Sequence, residues 1–474
     1  MSSESTVNVR EETWSGSDNA IAKAVARPMA RFLRQEAASG VLLIIATVVA
    51  LLWANFAAES YTEFWDLHLN IKVGDYKFLD KGFKLVVNDA LMVIFFFVVG
   101  LEIKSELVTG DLSSPRVAAL PAIAALGGMI VPAGLYLLLN AGTDGANGWG
   151  IPMATDIAFA VGVLALLGKR IPQKLKLFLL TLAIVDDIGA IAVIAIFYSK
   201  GLEMTWLAAA VGLLVVIVAL RYLRVWYLPV YVILGAVVWY ATFRSGVHAT
   251  IAGVVLGLLT PAKPLLGERR FESVEDIFSG DTDITSVREL HFQAREQVPV
   301  TQRLTALLSP WSSFLIIPVF ALANAGIRLT GDKISAASSS PVTWGIVLGL
   351  VVGKPLGVFL FTWVAAKSKI ATLPDGVGWG HVLGGGAVAG IGFTVALFIS
   401  ELAFEPDKGA SEAQVLITES LKTESIMGIL LASILASILG AVILLASRSG
   451  DSTDTDTGET IEGDDGDLAT LAEA

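Results

Sequence analysis

Long apolar runs alternate with short polar segments along most of the chain. Each run has about the twenty residues that an α-helix needs to cross a hydrocarbon core of about 30 Å. The pattern therefore predicts an all-α polytopic membrane protein with twelve transmembrane spans, numbered here in chain order. Their expected bounds are 38–57, 85–103, 117–139, 151–168, 175–199, 205–220, 226–243, 247–260, 311–329, 342–364, 379–402 and 425–446.

Two of these spans carry signals of an interrupted helix. Span 4 begins with "IPMATDIAFAVG", and span 11 contains five glycines in "HVLGGGAVAGIGFTVALF". Irregular backbone at membrane depth is tolerated where it is buried in protein or lines a water-filled cavity. The two spans are seven apart, an odd number, so they cross the membrane in opposite directions. The pattern predicts two inverted three-helix repeats, spans 3 to 5 and 10 to 12, with discontinuous helices 4 and 11 at a transport site.

Two adjacent carboxylates, Asp186 and Asp187, lie in the middle of span 5 in "LAIVDDIGAIAV". An Asp at a helix centre costs ~2.5–3.5 kcal/mol on insertion scales, and a neighbouring Leu or Ile returns only ~0.3–0.6 kcal/mol. A buried carboxylate takes up a proton, pairs with a cation or binds one. Because adjacent acids titrate as a coupled pair, these two can exchange protons for a cation.

Three further polar residues support this interpretation. Thr155 and Asp156 lie in interrupted span 4, and Lys354 is a lone ammonium in "LVVGKPLGVFLF" of span 10. Lys354 needs a carboxylate partner, for which Asp186 and Asp187 are the candidates. A structural ion pair would explain Lys354 and one acid, but not the second acid or Asp156. Oxygen ligands without Cys or clustered His suit a hard cation such as Na⁺ or Li⁺, so we expect Na⁺ to bind at Asp187 and Asp186.

Composition narrows the class of protein. The 474 residues are 54% hydrophobic and 16% charged, whereas a soluble domain carries about a quarter charged residues. The absence of cysteine excludes disulfides and iron–sulfur clusters. No GxxxxGK[ST] phosphate loop occurs, so transport would be driven by ion gradients rather than by nucleotide hydrolysis. We expect no cofactor and no nucleic-acid partner.

The polar segments complete the predicted organisation. Residues 1–37 form a polar lead with five Lys or Arg, residues 261–310 form a long charged loop, and residues 447–474 form a tail. From Asp451 onward the tail has nine acids and no base, which predicts disorder. Roughly twice as many Lys and Arg fall in the loops of one face as of the other, and this places both termini in the cytoplasm. Residues 38–446 are then one transporter domain.

Eight stretches of the chain are together highly specific, and they span most of residues 38–446. They are "NDALMVIFFFVVGLEIKSEL", "ALGGMIVPAGLYLLLN", "GIPMATDIAFAVGVLALLG", "LAIVDDIGAIAVIAIFY", "SGVHATIAGVVLG", "PWSSFLIIPVFALANAG", "GKPLG" and "AGIGFTVALFIS". Through these stretches the chain resembles the NhaA-type sodium/proton antiporters.

The resemblance implies a twelve-helix fold in which helices 4 and 11 unwind and cross in mid-membrane. It implies that Asp156 and Lys354 balance the charges of the half-helix ends there. Asp187 would be the principal cation ligand. Asp186 would be its proton-carrying neighbour, paired with Lys354 when no cation is bound, and Thr155 would lie at the crossing.

The resemblance also implies an activity. The family exchanges two protons for one Na⁺ or Li⁺, electrogenically and by alternating access, in sodium and pH homeostasis. Its members are transporters rather than enzymes, and they commonly form dimers in the bacterial inner membrane. We therefore expect Na⁺ or Li⁺, protons, the lipid bilayer and a second copy of the chain as partners.

The chain departs from the family at its cytoplasmic pH-sensing cluster. Glu102 and Glu106 are kept and can draw cations into a funnel, or they are solvated helix-end charges. His248 matches the "GVHAT" stretch, either as a packed side chain or as a pH sensor. The remaining cluster positions, where well-studied members have an Arg, a Glu and two His, hold Ser105, Thr305, Ala306 and Ser309.

Three other functions remain open from the sequence. A channel would need a continuous polar pore, whereas the polar groups here cluster at one depth. An intramembrane aspartyl protease would need two Asp on facing helices, for which Asp156 and Asp187 could serve, but no "GxGD" motif occurs. A related-fold transporter of an organic anion is the strongest alternative, and the adjacent acids argue against an anionic substrate.

Overall fold

The computed structural model describes residues 37–73, 76–199, 201–223, 225, 227–264, 288, 292, 294–407 and 409–447. The polar lead at residues 1–36, most of the long loop and the acidic tail lie outside these ranges. What the sequence predicts for those three segments stays a prediction.

Eight helices are long and apolar enough to cross a membrane, and counting each of two bent helix pairs as one span gives ten in the described residues. Spans 7 and 8 are the shorter apolar helices Leu228–Arg244 and Thr250–Leu259. The prediction of a polytopic, helical membrane protein is confirmed. The eight helices are Ala37–Phe56, Phe83–Val108, Pro115–Asn140, Gln173–Phe197, Met204–Tyr222, Val300–Asn324, Pro341–Lys367 and Glu412–Ala446.

The two bent pairs are spans 4 and 11, the two that the sequence predicts to be interrupted. Span 4 consists of a 3₁₀ segment, Asp144–Met153, followed by the helix Ile157–Leu167, with a 45° bend between them. Span 11 consists of the helices Trp379–Ala389 and Phe393–Ala403, with a 48° bend. Each break leaves three residues between the two helical segments, 154–156 in span 4 and 390–392 in span 11.

An antiparallel β-hairpin connects spans 1 and 2 and adds to the predicted all-α architecture. Strand β1, His68–Val73, pairs with β2, Tyr76–Gly82, and the register is irregular between Ile71 and Lys72. These strands are too short and too polar to stand out in a pattern dominated by twenty-residue apolar runs. Two short helices also lie between spans, Ala58–Trp65 and Gly331–Ser339.

Two spans are longer than the apolar pattern predicts. Span 9 begins at Val300 rather than 311, so the last part of the expected 261–310 loop is helical. Span 12 begins at Glu412 rather than 425, where Ser411 and Gln414 form a capping box. Hydropathy locates the apolar centre of a span, whereas the helix continues into polar sequence for as long as its backbone bonds and caps are satisfied.

Single π-helical turns interrupt spans 2, 9 and 10, at Val87–Leu91, Ser312–Ile316 and Gly349–Gly353. Such turns are rare overall, but those that occur are often at functional sites. The extra residue in the turn rotates the side chains that follow it. The turn in span 10 ends immediately before Lys354, and the turn in span 9 carries two adjacent serines.

The core lies around span 11. From Phe393 to Ala403 every residue except Glu401 is buried, against neighbours in spans 2, 4, 9 and 12. Gly390 shows how closely the backbones approach, since a Cβ there would lie 2.3 Å from the carbonyl oxygen of Leu350. This tight packing holds the break of span 11 at a fixed position.

Candidate functional site

The breaks of spans 4 and 11 lie against each other. The backbone N–H of Asp156 donates to the carbonyl of Ile391 at 2.6 Å. The hydroxyl of Thr155 donates to the carbonyl of Ala389 at 2.8 Å. Backbone groups freed by each interruption therefore find partners on the other span, as burial in an apolar environment requires.

Asp156 serves both half-helices that begin at this crossing. Its carboxylate accepts a bond from the backbone N–H of Phe159 at 3.0 Å, in the first turn after the break in span 4. It also accepts bonds from Thr394, from the backbone N–H at 3.0 Å and from the hydroxyl at 2.6 Å. Helix N-termini carry partial positive charge, so one buried carboxylate stabilises two of them.

Lys354 supplies the opposite charge at the same depth. Its side chain is fully buried, and its ammonium donates to the carbonyl of Met153, at the end of the first half of span 4. Helix C-termini carry partial negative charge, so the ammonium balances this end of the broken span. The same ammonium pairs with the carboxylate of Asp186.

The two adjacent acids have different surroundings because they lie on one continuous helix, Gln173–Phe197. Successive residues of an α-helix point about 100° apart. Asp186 points to Lys354 and accepts a 2.6 Å bond from the hydroxyl of Thr155. Asp187 points instead into a cavity, and its carboxylate makes no hydrogen bond to another group in the described part of the chain.

The cavity has a volume of about 260 Å³ and is lined by three carboxylates, Glu102, Asp156 and Asp187. Hydroxyl groups line the rest of its polar surface. They belong to Thr155 and Thr394 at the crossing and to Ser39, Ser309, Ser312 and Ser313 in spans 1 and 9. Oxygen atoms of these kinds are the ligands that hard cations prefer, and the excess of negative charge disfavours an anion.

The described residues contain no group of three or more His, Cys, Asp and Glu placed to hold a metal ion. A cation in the cavity would therefore take part of its coordination from hydroxyls, carbonyls or water.

Other candidate residues lie apart from the cavity. Glu106, one helical turn beyond Glu102, accepts a bond from the backbone N–H of Asp111 at 3.0 Å. A ring nitrogen of His248 lies 2.7 Å from the carbonyl oxygen of Tyr198, and Tyr198 follows Asp187 by roughly 16 Å of helix. Of the four departures from the family, Ser309 lines the cavity, and Ser105, Thr305 and Ala306 do not.

Four polar residues that line the cavity were not predicted from the sequence: Ser39, Ser312, Ser313 and Thr394. The pair in "PWSSF" had a detectable signal, since two hydroxyls in an apolar span have no obvious role at its lipid face. Thr394 follows the glycines of span 11 and looks like an ordinary helical residue until the fold brings it to Asp156.

Comparison with known proteins agrees with this site. The family described as Na⁺/H⁺ antiporter 1 matches residues 30–444 of the chain. The chain belongs to this family. Members of the family transport Na⁺ and H⁺ and are not enzymes. This excludes the alternative that the chain is an intramembrane aspartyl protease.

Relatives from three bacteria match this chain over most of its length. The Na(+)/H(+) antiporter NhaA 2 of Myxococcus xanthus is 45% identical over 93% of this chain and 94% of its own. The Na(+)/H(+) antiporter NhaA of Rhodopirellula baltica is 46% identical over 85% of this chain and 94% of its own. The Na(+)/H(+) antiporter NhaA of Oleidesulfovibrio alaskensis is 48% identical over 80% of this chain and 87% of its own.

Proposed function

We propose that this antiporter exports one Na⁺ or Li⁺ in exchange for two protons, electrogenically and by alternating access. The observation that supports this most directly is that the two adjacent acids make different contacts. Asp186 is paired with Lys354, whereas Asp187 faces the cavity. One acid can therefore hold a cation while the other responds to its arrival.

Asp187 is the proposed principal cation ligand. It lies in the cavity together with the hydroxyl of Thr155 and the carboxylate of Asp156. Glu102, on the same cavity, would attract cations toward it. A cation that binds to the Asp187 carboxylate replaces the proton that this buried acid otherwise carries, which accounts for the first of the two protons.

The second proton comes from the pair of Lys354 and Asp186. Thr155 links this pair to the cation site, because its hydroxyl bonds to Asp186 at 2.6 Å and also lines the cavity. A positive ion at Asp187 repels the neighbouring ammonium and weakens its hold on Asp186. The buried pair then gives up one proton to the cytoplasm, and two protons return from the outer side after the cation has left.

This cycle moves one net positive charge inward for each Na⁺ exported. While both protons are bound, Asp156 and Lys354 balance the half-helix ends at the crossing, so the broken spans can return the site between two faces without leaving a bare helix dipole in the membrane. The resulting export of Na⁺ and uptake of protons would serve sodium and pH homeostasis.

The proposal includes an organisation for the whole chain. Twelve spans, with spans 3 to 5 and 10 to 12 as inverted repeats, would form one transporter domain over residues 38–446. Both termini would lie in the cytoplasm of a bacterium, with the domain in the inner membrane as a homodimer. The cavity mouth near Glu102, at the cytoplasmic end of span 2, would then open inward.

The rival substrate is an organic anion. Three carboxylates line the cavity, and an anion there would meet like charges in surroundings of low dielectric constant. No described side chain that lines the cavity is cationic, so the site supports a cation.

The test is transport in everted membrane vesicles loaded with a ΔpH-sensitive dye. Addition of Na⁺ or Li⁺ should release protons from the lumen and restore fluorescence, and K⁺ should not. In proteoliposomes, a membrane potential should drive Na⁺ movement at constant pH if the exchange is electrogenic. No response to Na⁺ or Li⁺, or Na⁺ movement indifferent to the potential, would contradict the proposed exchange.

A further inference from the structure

Glu401 lies between two lysines at the end of span 11. The ammonium of Lys84 lies 2.9 Å from one of its carboxylate oxygens, and the ammonium of Lys422 donates to the other at 2.7 Å. The Glu401 side chain is 9% exposed, against 31% for Lys84 and 23% for Lys422. We call these three residues the outer clasp. It joins spans 2, 11 and 12.

The outer clasp is at the opposite end of span 2 from Glu102, which lines the cavity. Lys84 and Glu102 lie on the same helical span, Phe83–Val108. Their separation of eighteen residues corresponds to roughly 27 Å at 1.5 Å per residue, close to the thickness of the hydrocarbon core. The clasp therefore lies near one end of span 2, and the Glu102 side of the cavity lies near the other.

The clasp and the site are connected by one rigid half-helix, Phe393–Ala403. Near its start Thr394 bonds to Asp156, and roughly 10 Å further along the helix is Glu401. The hydroxyls of Ser400 and Ser425 also contact each other beside the clasp. Both ends of this half-helix are thus held by buried polar contacts, so it cannot move away from spans 2 and 12 while the clasp is intact.

The charge balance of the clasp gives Glu401 a controlling position. Two ammonium groups share one carboxylate, so the clasp holds together through Glu401 alone. Without that carboxylate the two lysines would repel each other at short range in a poorly solvated place. Removal of Lys84 would instead leave the pair of Glu401 and Lys422 intact.

We propose that the outer clasp keeps the outer face closed while the cavity is open to the other side, and that it must separate before the ion can leave outward. The inference rests on the proposed alternating access. Glu401 is a positioning residue, since it acts through the half-helix that bears Thr394 and does not touch the site itself.

The first measurement is the accessibility of a single thiol. The chain has no cysteine, so Ser400→Cys introduces one at a position that is 0% exposed beside the clasp. A membrane-impermeant maleimide is added from the outer face. We expect slow labelling with the clasp intact, several-fold faster labelling in Glu401→Gln and a smaller increase in Lys84→Gln.

The matched control breaks an exposed ion pair elsewhere. Lys174 and Asp375 are 2.8 Å apart, with side chains that are 55% and 96% exposed. Lys174 lies in the first turn of span 5 and Asp375 lies between spans 10 and 11, on the face opposite the clasp. Asp375→Asn should leave the labelling rate unchanged.

The second measurement is the sidedness of transport. A larger outward-open population should raise the apparent KM for Na⁺ on the cytoplasmic face and lower it on the outer face. A residue with a merely structural role would reduce the melting temperature and the overall rate without changing the ratio of the two KM values. Glu401→Asp, which keeps the charge, should recover the original ratio in part.

The proposed role of the clasp would be wrong if Glu401→Gln and Lys84→Gln both fold and neither changes the labelling rate or the ratio of the two KM values. If Glu401→Gln does not fold, Lys84→Gln carries the test because one ion pair remains in it. Labelling needs no transport and can be repeated in an Asp187→Asn background. An absence of Na⁺ exchange in the unaltered protein would thus overturn the proposed function, while labelling still decides the clasp.

Discussion

The carboxylate of Asp156 accepts a 2.6 Å hydrogen bond from the hydroxyl of Thr394, which is 238 residues away in the sequence. The backbone N–H of Thr394 bonds to the same oxygen at 3.0 Å. This contact joins the second halves of the two broken spans at their N-terminal ends. Both the transport site and the proposed outer clasp depend on it, because it fixes one half-helix relative to the other.

Removal of the Thr394 hydroxyl should therefore weaken the crossing. Thr394→Val keeps the side-chain shape but deletes a hydrogen bond to a buried charged group, which typically contributes about 1.5–3 kcal/mol. We expect a lower melting temperature of the purified protein and a raised apparent KM for Na⁺. Thr394→Ser, which retains the hydroxyl, is the control and should lie close to the unaltered protein. Equal losses in the two variants would show that the methyl group matters and not the bond to Asp156.

Asp187 should be indispensable for exchange. Asp187→Asn leaves a group that neither titrates nor provides a charged ligand, so Na⁺-dependent proton release in everted vesicles should disappear. Asp186→Asn should reduce the exchange severely or change its stoichiometry, since it disrupts the partner of Lys354. Exchange like that of the unaltered protein in Asp187→Asn would refute the assignment of the cation ligand.

Lys354 and Asp186 should show strong energetic coupling. Breaking a buried ion pair from one side typically costs about 3–5 kcal/mol unless the remaining group changes its protonation. Lys354→Gln alone should therefore lower the melting temperature, and the double variant with Asp186→Asn should recover much of the loss. The double variant should also exchange at least one proton fewer in each transport cycle than the unaltered protein.

The measurement is a thermal-stability double-mutant cycle on purified protein, accompanied by electrogenicity in liposomes. Additive destabilisation by the two substitutions, with no coupling energy, would mean that their contact contributes nothing. The proposed route of the second proton would then fail.

Close backbone packing at the break of span 11 predicts a strong response to a single methyl group. In Gly390→Ala the new Cβ would lie 2.3 Å from the Leu350 carbonyl oxygen, so one backbone must shift, at a cost of typically about 1–3 kcal/mol. Gly212→Ala is the matched control, because a Cβ there meets no atom within 4 Å and Ala favours a helix. A thermal scan of both variants should show a lower melting temperature only for Gly390→Ala.

The pH dependence of exchange should follow from competition at the acids. Protons and Na⁺ compete for the same carboxylates, so raising the pH lowers the proton concentration and increases the apparent Na⁺ affinity. The increase should be smooth, with at most about a tenfold change per pH unit for each competing proton. Initial rates measured against Na⁺ concentration at several pH values test this.

A separate pH switch would give a different profile. A sharp on–off transition at saturating Na⁺ cannot come from competition, because excess Na⁺ outcompetes the proton. Such a transition would point to His248, Glu102 or Glu106 as a sensor. We expect no such switch, because this chain has Ser105, Thr305, Ala306 and Ser309 where well-studied family members have an Arg, a Glu and two His.

Much of the architecture follows from the sequence because the bilayer is a simple solvent. Apolar runs of the right length have to be spans, and the breaks in spans 4 and 11 were predicted from proline, glycine and polar residues within such runs. The candidate acids stood out for the same reason, since a carboxylate in an apolar run is costly. The extensions of spans 9 and 12 and the β-hairpin escaped this logic, because they lie in polar sequence where hydropathy has no signal.

The geometry that pairs the charges was set by tertiary structure. The residues by themselves left Lys354 with two possible partners, and only the family resemblance implied Asp186. In the structure, the rotation of span 5 by about 100° per residue turns Asp186 toward Lys354 and Asp187 into the cavity. Lys84, Glu401 and Lys422 look like ordinary helix-end charges until three spans bring them together. The physical reason is that burial in the membrane depends on each residue's own chemistry, which the sequence contains directly. A contact between two side chains depends on the rotation and register of whole helices, which only their mutual packing sets.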